Sequence, residues 1–251
     1  MARTSAAHLL RNGSIWLGRL EIGQGWARWQ GDVGQGAMHR HVAAQLVLSG
    51  GAADAVVETA DGRLVWGAAV GIDPLVAHRI RPGGAATLVF IEPWALRCGL
   101  EIPASVVPRD LPGPFAAVSA QPRQGASFWQ EWRGAGPQHP AGTVSAWAGR
   151  ARHRIDDLLA AGHAGGVTLA ALAALLGVGA EHARHRFVAE FGLPFRRYVL
   201  WRRLQIAAAA LHGGSSVTAS AHQAGFSDAA HAARTLKAMF GVSASQLLEQ
   251  R

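Results

Sequence analysis

Apolar residues recur at intervals of three and four along the second half of the chain, and in short runs broken by turn residues along the first. The clearest helical pattern lies in Ala224 to Ser243, AGFSDAAHAARTLKAMFGVS. Ala232, Leu236 and Met239/Phe240 fall on one face of a helix there, while His231, Arg234 and Lys237 fall on the other. Gly241 is placed to stop that helix. Upstream, Val217 to Ala224 reads as a short helix ending at Gly225. A short helix, a tight turn and a longer helix with a basic face is the helix-turn-helix arrangement, whose second helix enters a DNA major groove.

The same pattern occurs earlier. Thr168 is an N-cap candidate, Leu169 to Leu176 a short helix, Gly177-Val178-Gly179 a turn, and Glu181 to Phe191 a second helix. It is preceded by a helix over Ala146 to Ala161, with Trp147, Ile155, Leu158 and Leu159 as buried candidates. A long helix starting at Pro194 and running to Leu211 or His212 joins the two units through a stripe of Tyr198, Trp201, Leu204, Ile206/Ala207 and Leu211. Such a helix would fix the spacing of two recognition helices on successive major-groove faces, about 34 Å apart.

The first half has a β texture. Ala44 to Leu48, Ala55 to Thr59, Leu64 to Trp66 and Ala86 to Ile91 are short apolar runs. Ser49-Gly50-Gly51, Asp61-Gly62 and Pro82-Gly83-Gly84 separate them, and Asp61-Gly62 signals a hairpin. Regular short strands predict a sandwich or barrel. After Pro108 the texture changes. Ala126 to Trp132 reads as the end of a helix, and Gly134 to Gly142 as a linker near a domain boundary.

Charge sharpens this division. Residues 1–140 carry 12 Lys and Arg against 10 Asp and Glu, a net of +2; residues 141–251 carry 12 against 6, a net of +6. The excess base lies with the helix pairs, which favours a polyanion through counterion release. The single cysteine, Cys98, rules out an intramolecular disulfide and a cysteine-based zinc site. No run of about 18 apolar residues reads as a membrane span and no signal-peptide layout opens the chain, so a cytoplasmic protein without membrane partners is expected.

His39-Arg40-His41 stands inside the β region, followed by Gln45 and by Pro74 to His78. On a strand, His39 and His41 would project to one face. The pattern resembles the cupins, small jelly-roll barrels with an H-x-H followed by an acidic residue, then a second motif with a Pro and a later His. Gln45 stands where the acidic residue would be, and an amide lacks the charge that neutralises a divalent metal. Three readings stand side by side: His39, His41, Gln45 and His78 line an effector pocket, they are structural remnants, or His39, His41 and His78 bind metal. The first is carried forward, with no metal and no cofactor assigned.

Residues from about 143 to 248 resemble the DNA-binding domain of the AraC/XylS family of transcription regulators. The resemblance rests on LAALAALLGVGAEHARHRFVAEFGLPF, RRLQIAAAALHGG, and the G-F-S-D-x-x-H…R-x-x-K-x-x-F-G-V-S run. It implies a multi-domain chain. Residues 1–135 would be an N-terminal all-β cupin-like jelly-roll barrel with trailing helices, binding an effector and mediating dimerisation. Residues 143–251 would be a C-terminal all-α domain of two helix-turn-helix units joined by a long linker helix.

The resemblance assigns Glu181, His182, Arg184 and His185 in the first unit, and Asp228, Ala229, His231 and Arg234 in the second, to the DNA face. An arginine there favours guanine O6/N7, and a glutamate accepts from cytosine N4. Lys237, Arg196 and Arg197 are phosphate candidates, and Asp228 also suits an N-cap. Ala232-Ala233 replaces the family's usual Phe-Ser, Leu236 its usual Phe, and His185 its usual Arg. The implied function is a sequence-specific transcription regulator, not an enzyme. Its implied partners are operator or promoter double-stranded DNA, a small-molecule effector, RNA polymerase and a second copy in a homodimer. The alternatives are a metal-dependent cupin enzyme fused to a DNA-binding module, and a ligand-independent DNA-binding dimer.

Overall fold

The computed structural model describes residues 17–34, 36–81, 83–95, 98, 100–107, 115–119, 128–129, 145–161 and 167–240. The expected linker at 134–142 and the expected helix stop at Gly241 lie outside these residues. Of the helix expected at Ala126 to Trp132, only Phe128 and Trp129 are described, and both are helical.

Nine strands lie among the described residues of the first half: β1 (Leu17–Gly23), β2 (Trp26–Val33), β3 (Ala44–Ser49), β4 (Ala55–Thr59), β5 (Leu64–Gly67), β6 (Ala69–Ile72), β7 (His78–Ile80), β8 (Gly84–Ile91) and β9 (Phe115–Val118). They form a six-stranded sheet in the order β1-β2-β8-β3-β6-β9 and a three-stranded sheet in the order β5-β4-β7. All pairs are antiparallel except β6 with β9. Asp61-Gly62 turns β4 into β5, with Gly62 at φ 82°.

The large sheet is buried on both faces. Val47, Val70, Ile72, Leu88 and Phe90 point into one apolar cluster, while Leu46, Leu48, Ala69, Val89 and Ile91 point into another. This alternation follows from the strand period of two, and burial on both faces explains why β3 and β8 read as continuous apolar runs. Trp129 closes the second cluster, its indole N–H donating to the Ile72 carbonyl at 3.0 Å. The ring lies so close to Gly71 that a Cβ there would meet it at 2.6 Å. Only glycine fits at that crossing.

Among the described residues of the second half lie six helices: α1 (Ala146–Ala160), α2 (Leu169–Leu175), α3 (Ala180–Phe191), α4 (Phe195–His212), α5 (Val217–Gln223) and α6 (Ala229–Phe240). Their caps make the internal repeat visible. Thr168 caps α2 through the Ala171 amide and Ser216 caps α5 through the Ala219 amide. Each short helix then ends on a glycine with positive φ, Gly177 at 65° and Gly225 at 74°. The next residue, Val178 or Phe226, donates back to the carbonyl of Ala173 or Ala221. That is one helix stop used twice, with the glycine supplying the left-handed conformation a side chain would resist. Pro194 sits one residue earlier than expected, as the N-cap of α4 rather than its first helical residue.

The first apolar cluster does not end with the sheets. It continues from Trp29, Val47 and Phe90 through Trp147, Phe187, Tyr198 and Leu204 to Phe226 and Leu236. Sheet and helix regions therefore share buried side chains. No helix among the described residues is long and apolar enough to cross a membrane.

Candidate nucleic-acid interface and histidine cluster

The two long helices of the repeat, α3 and α6, each bury one face and expose the other. On α3, Ala183, Phe187 and Phe191 are buried, whereas Glu181, His182, Arg184 and His185 are exposed. On α6, Ala232 and Leu236 are buried, whereas His231, Arg234 and Lys237 are exposed. Arg196 and Arg197 are exposed at the start of α4. Ala229 is half-buried and packs partly against the core.

The exposed face of α3 is internally paired. The Arg184 guanidinium lies on the Glu181 carboxylate through two bonds, at 3.0 and 2.6 Å, and His185 Nε2 approaches the same carboxylate at 2.8 Å. Arg184, and then His185, hold the Glu181 carboxyl at about 2. Glu181 thus orients Arg184 through one edge of its guanidinium.

Asp228 has a local task. Its Oδ1 accepts from the His231 amide at 2.6 Å, which satisfies a first-turn donor of α6, and this bond holds its carboxyl below the ordinary range. His231 also packs edge-on against Phe226, with centroids 5.5 Å apart. Asp228→Asn retains the cap acceptor and is expected to retain DNA affinity. Asp228→Ala removes it and is expected to weaken binding several-fold by fraying the first turn. Equal loss in both variants, measured by mobility shift, would instead assign the carboxylate to DNA.

The histidines converge, but not by the expected route. His39 and His41 do not lie on one strand: His39 makes an isolated bridge to His78, and His41 follows outside any strand. What brings them together is the closure of the two sheets. Gln45 lies on β3 of the large sheet, on the same face as Val47, and His78 starts β7 of the small one. Gln45 Oε1 stands 2.7 Å from His78 Nε2 and 3.1 Å from His41 Nε2. All four side chains are buried. The turn before β7 is held by Leu75, whose amide donates to the His41 carbonyl and whose φ of 65° is unusual for a branched side chain.

Burial keeps the imidazoles neutral. It lowers the pKa of His39, depresses that of His78 well below its ordinary value, and with the neighbouring His39 brings His41 down to about 3. The ligand nitrogens of His39, His41 and His78 lie within 4.8 Å of one another, a spacing compatible with a shared metal ion. Cys98 offers no competing nucleophile, because burial pushes its thiol up to about 12.

Residues 172–250 match the family described as Helix-turn-helix domain. This stretch of the chain is similar to AraC-type helix-turn-helix domains. It spans the end of α2 through α6, so both copies of the capped unit fall within the helix-turn-helix match.

Solved structures extend the likeness beyond that domain. An apo form of ToxT from Vibrio cholerae strain SCE256, carrying one lysine-to-alanine substitution, aligns with 92% of this chain and 99% of its own, at 9% identity and a TM-score of 0.55. Unsaturated fatty acid bound wild-type ToxT from the same strain aligns with 92% and 97%, at 9% identity and a TM-score of 0.54. At such identity the likeness is one of fold, a strand-rich N-terminal region followed by a helical C-terminal region. The C-terminal domain of AraT, a response regulator from Geobacillus stearothermophilus, covers 44% of this chain and 89% of its own, at 22% identity and a TM-score of 0.39. No curated protein matches the chain.

Spacing in the sequence did not reveal a polar node between the sheets and the helix-turn-helix domain. Glu92, directly after β8, is buried and accepts from the Trp201 indole N–H at 2.9 Å. Arg202 lies 3.6 Å from the same carboxylate and binds Asp156 of α1 at 2.9 Å. Trp94 packs its ring against both Tyr198 and Phe191, at centroid distances of 5.1 and 6.1 Å. The signal in the sequence was a carboxylate and a tryptophan, Glu92 and Trp94, directly after an apolar strand.

Proposed function

We propose that the chain is a sequence-specific transcription regulator in which both α3 and α6 read DNA and the N-terminal sheets, within residues 1–135, take a small effector at His39, His41, Gln45 and His78. The observation that carries the DNA reading is the duplicated unit. Two helices of 12 residues, α3 and α6, follow equivalent capped turns, and each leaves an outward polar face with an arginine at its middle. Arg184 and Arg234 are the proposed base readers; Arg196, Arg197 and Lys237 are the proposed phosphate contacts that fix register. Ala232 is buried, so the small residue at that position goes with a closely packed α6.

The effector reading draws support from the placement of the histidine cluster between the two sheets, close to the helix-turn-helix domain. The unsaturated fatty acid named for ToxT belongs to that protein; here the cluster carries imidazoles and an amide, which suit a polar or cationic ligand.

Selection of the purified full chain against a random duplex pool tests the DNA reading. Two short enriched blocks about one helical turn apart are the expected result. Arg184→Ala should abolish one block and Arg234→Ala the other, each with a loss of about tenfold or more in affinity. Lys237→Ala should weaken all sequences alike and reduce the salt slope by about one unit. A single block insensitive to Arg234→Ala would reduce α6 to a backbone contact.

A further inference from the structure

The duplicated unit presents the same residue to the sheets twice. Phe191 and Phe240 are each the last of 12 helical residues, in α3 and in α6. Each touches both α4 and the segment at the end of β8. Toward α4, Phe191 packs on Tyr198 at a centroid distance of 4.8 Å, and Phe240 packs on Trp201 at 5.5 Å. Toward the sheet, Phe191 meets Trp94 at 6.1 Å and Phe240 meets Phe90 at 5.8 Å. Between these two contacts in sequence, Glu92 accepts the Trp201 indole N–H at 2.9 Å. Residues 90, 92 and 94 thus touch α6, α4 and α3 in turn.

That segment is tied down. Phe90 stands in an inner strand, paired with Ala27 of β2 on one side and Gln45 of β3 on the other. Past the strand, the Glu92 amide donates to the Gly25 carbonyl and the Ala95 amide to the Glu92 carbonyl, both at 2.9 Å. Both aromatic side chains are buried. Moving either one means breaking backbone hydrogen bonds in a place water does not reach. A helix supported by α4 alone can pivot about that contact. A second contact, on a rigid sheet, removes the pivot.

We infer that Phe90 and Trp94 are positioning residues for DNA recognition: acting through Phe240 and Phe191, they fix α3 and α6 relative to each other and so set the spacing at which two operator blocks are read. The inference rests on the proposal that both helices read DNA. It gives the sheets a task in DNA binding that needs no ligand. One base pair moves a block about 3.4 Å along the duplex and turns it by about 35°. Two readers fixed to each other follow one spacer length. Two readers that pivot follow neighbouring lengths as well, and bind the best one less tightly because their freedom is lost on binding.

The test uses the full chain and duplexes carrying the two blocks recovered by selection, with the spacer shortened or lengthened by one and two base pairs. Fluorescence anisotropy gives the Kd for each. In the wild type, a change of one base pair is expected to cost about tenfold or more. Phe90→Leu and Trp94→Leu keep an apolar side chain in place. Each should weaken binding to the best spacer and cut the one-base-pair penalty to about threefold or less. Leu46→Ala is the control. Leu46 is buried on the opposite face of the large sheet from Phe90, so its loss lowers stability without reaching either phenylalanine, and the sharp spacer profile should persist. Circular dichroism sets a temperature at which every variant is folded.

Equal sharpness in the wild type and both leucine variants overturns the inference, because α4 then fixes the readers alone. Tighter binding by those variants at every spacer also overturns it and makes the contact a restraint on DNA binding. The same broadening in Leu46→Ala overturns it by assigning the effect to lost stability. A single enriched block in the wild type discards the two-reader proposal itself; two blocks with unaltered profiles discard only the positioning role.

Discussion

Replacing Trp94 with alanine is expected to destabilise the full chain by about 3–5 kcal/mol, the range for losing a buried aromatic. The side chain is almost wholly buried, at 1% exposure. Its importance comes from what it joins. Trp94 follows the sheet strand β8, whereas its ring neighbours are Phe191 at the end of α3 and Tyr198 in α4. The loss therefore falls on the contact between sheets and helix-turn-helix domain, not on either alone. Calorimetry should show one cooperative transition in the wild type and two in Trp94→Ala, as each region melts by itself. The Trp94 indole N–H has no partner among the described residues, and an unpaired buried donor costs about 1–3 kcal/mol. Trp94→Phe retains most of the ring and removes that donor, so its stability should match or exceed the wild type. A single transition in Trp94→Ala, shifted by less than about 1 kcal/mol, would mean that the contact contributes little.

The parts of the chain that were legible in the sequence depend on neighbours a few residues apart. Thr168 and Gly177 announce a capped short helix without reference to anything distant, and so does Gly225 after α5. Asp61-Gly62 announces its hairpin in the same way. β1 and β2 escaped because Arg19, Glu21, Arg28 and Gln30 interrupt their apolar positions, as expected of strands at one edge of a sheet. The histidine cluster was legible as a set of residue types and not as a geometry. Its assembly depends on Gln45 and His78 meeting across two sheets, 33 residues apart. The Glu92–Trp201 bond spans 109 residues, and no local spacing encodes it. Legibility fails where closure of the tertiary fold, rather than strand or helix period, decides who meets whom.

Lowering the pH from 7.5 to 4.5 is expected to destabilise the chelator-treated protein through the same cluster. Burial depresses the pKa of His39, His41 and His78 in the fold, whereas an unfolded histidine titrates near 6.5. Between those values the unfolded chain binds protons that the folded chain refuses, so stability falls as pH falls. The slope is about 1.4 kcal/mol per pH unit for each fully depressed histidine. His41, at about 3, alone accounts for roughly 2–3 kcal/mol between pH 6.5 and 4.5. His39 and His78 act in the same direction. Above the unfolded value all three are neutral in both states and the contribution is constant.

The lowered carboxylates have a different window. Glu181 and Asp228 stabilise the fold above their unfolded pKa values and lose that contribution only as pH falls below the ordinary carboxylate range toward their folded values. Loss between pH 6.5 and 5 is therefore assigned to imidazoles. Urea unfolding at closely spaced pH values measures it. The wild type should lose stability through this interval, and His41→Gln should lose it with a shallower slope, because one proton-refusing group is gone. A flat wild-type profile down to pH 5 would mean that the rings accept protons inside the fold, and that water reaches the space between the two sheets.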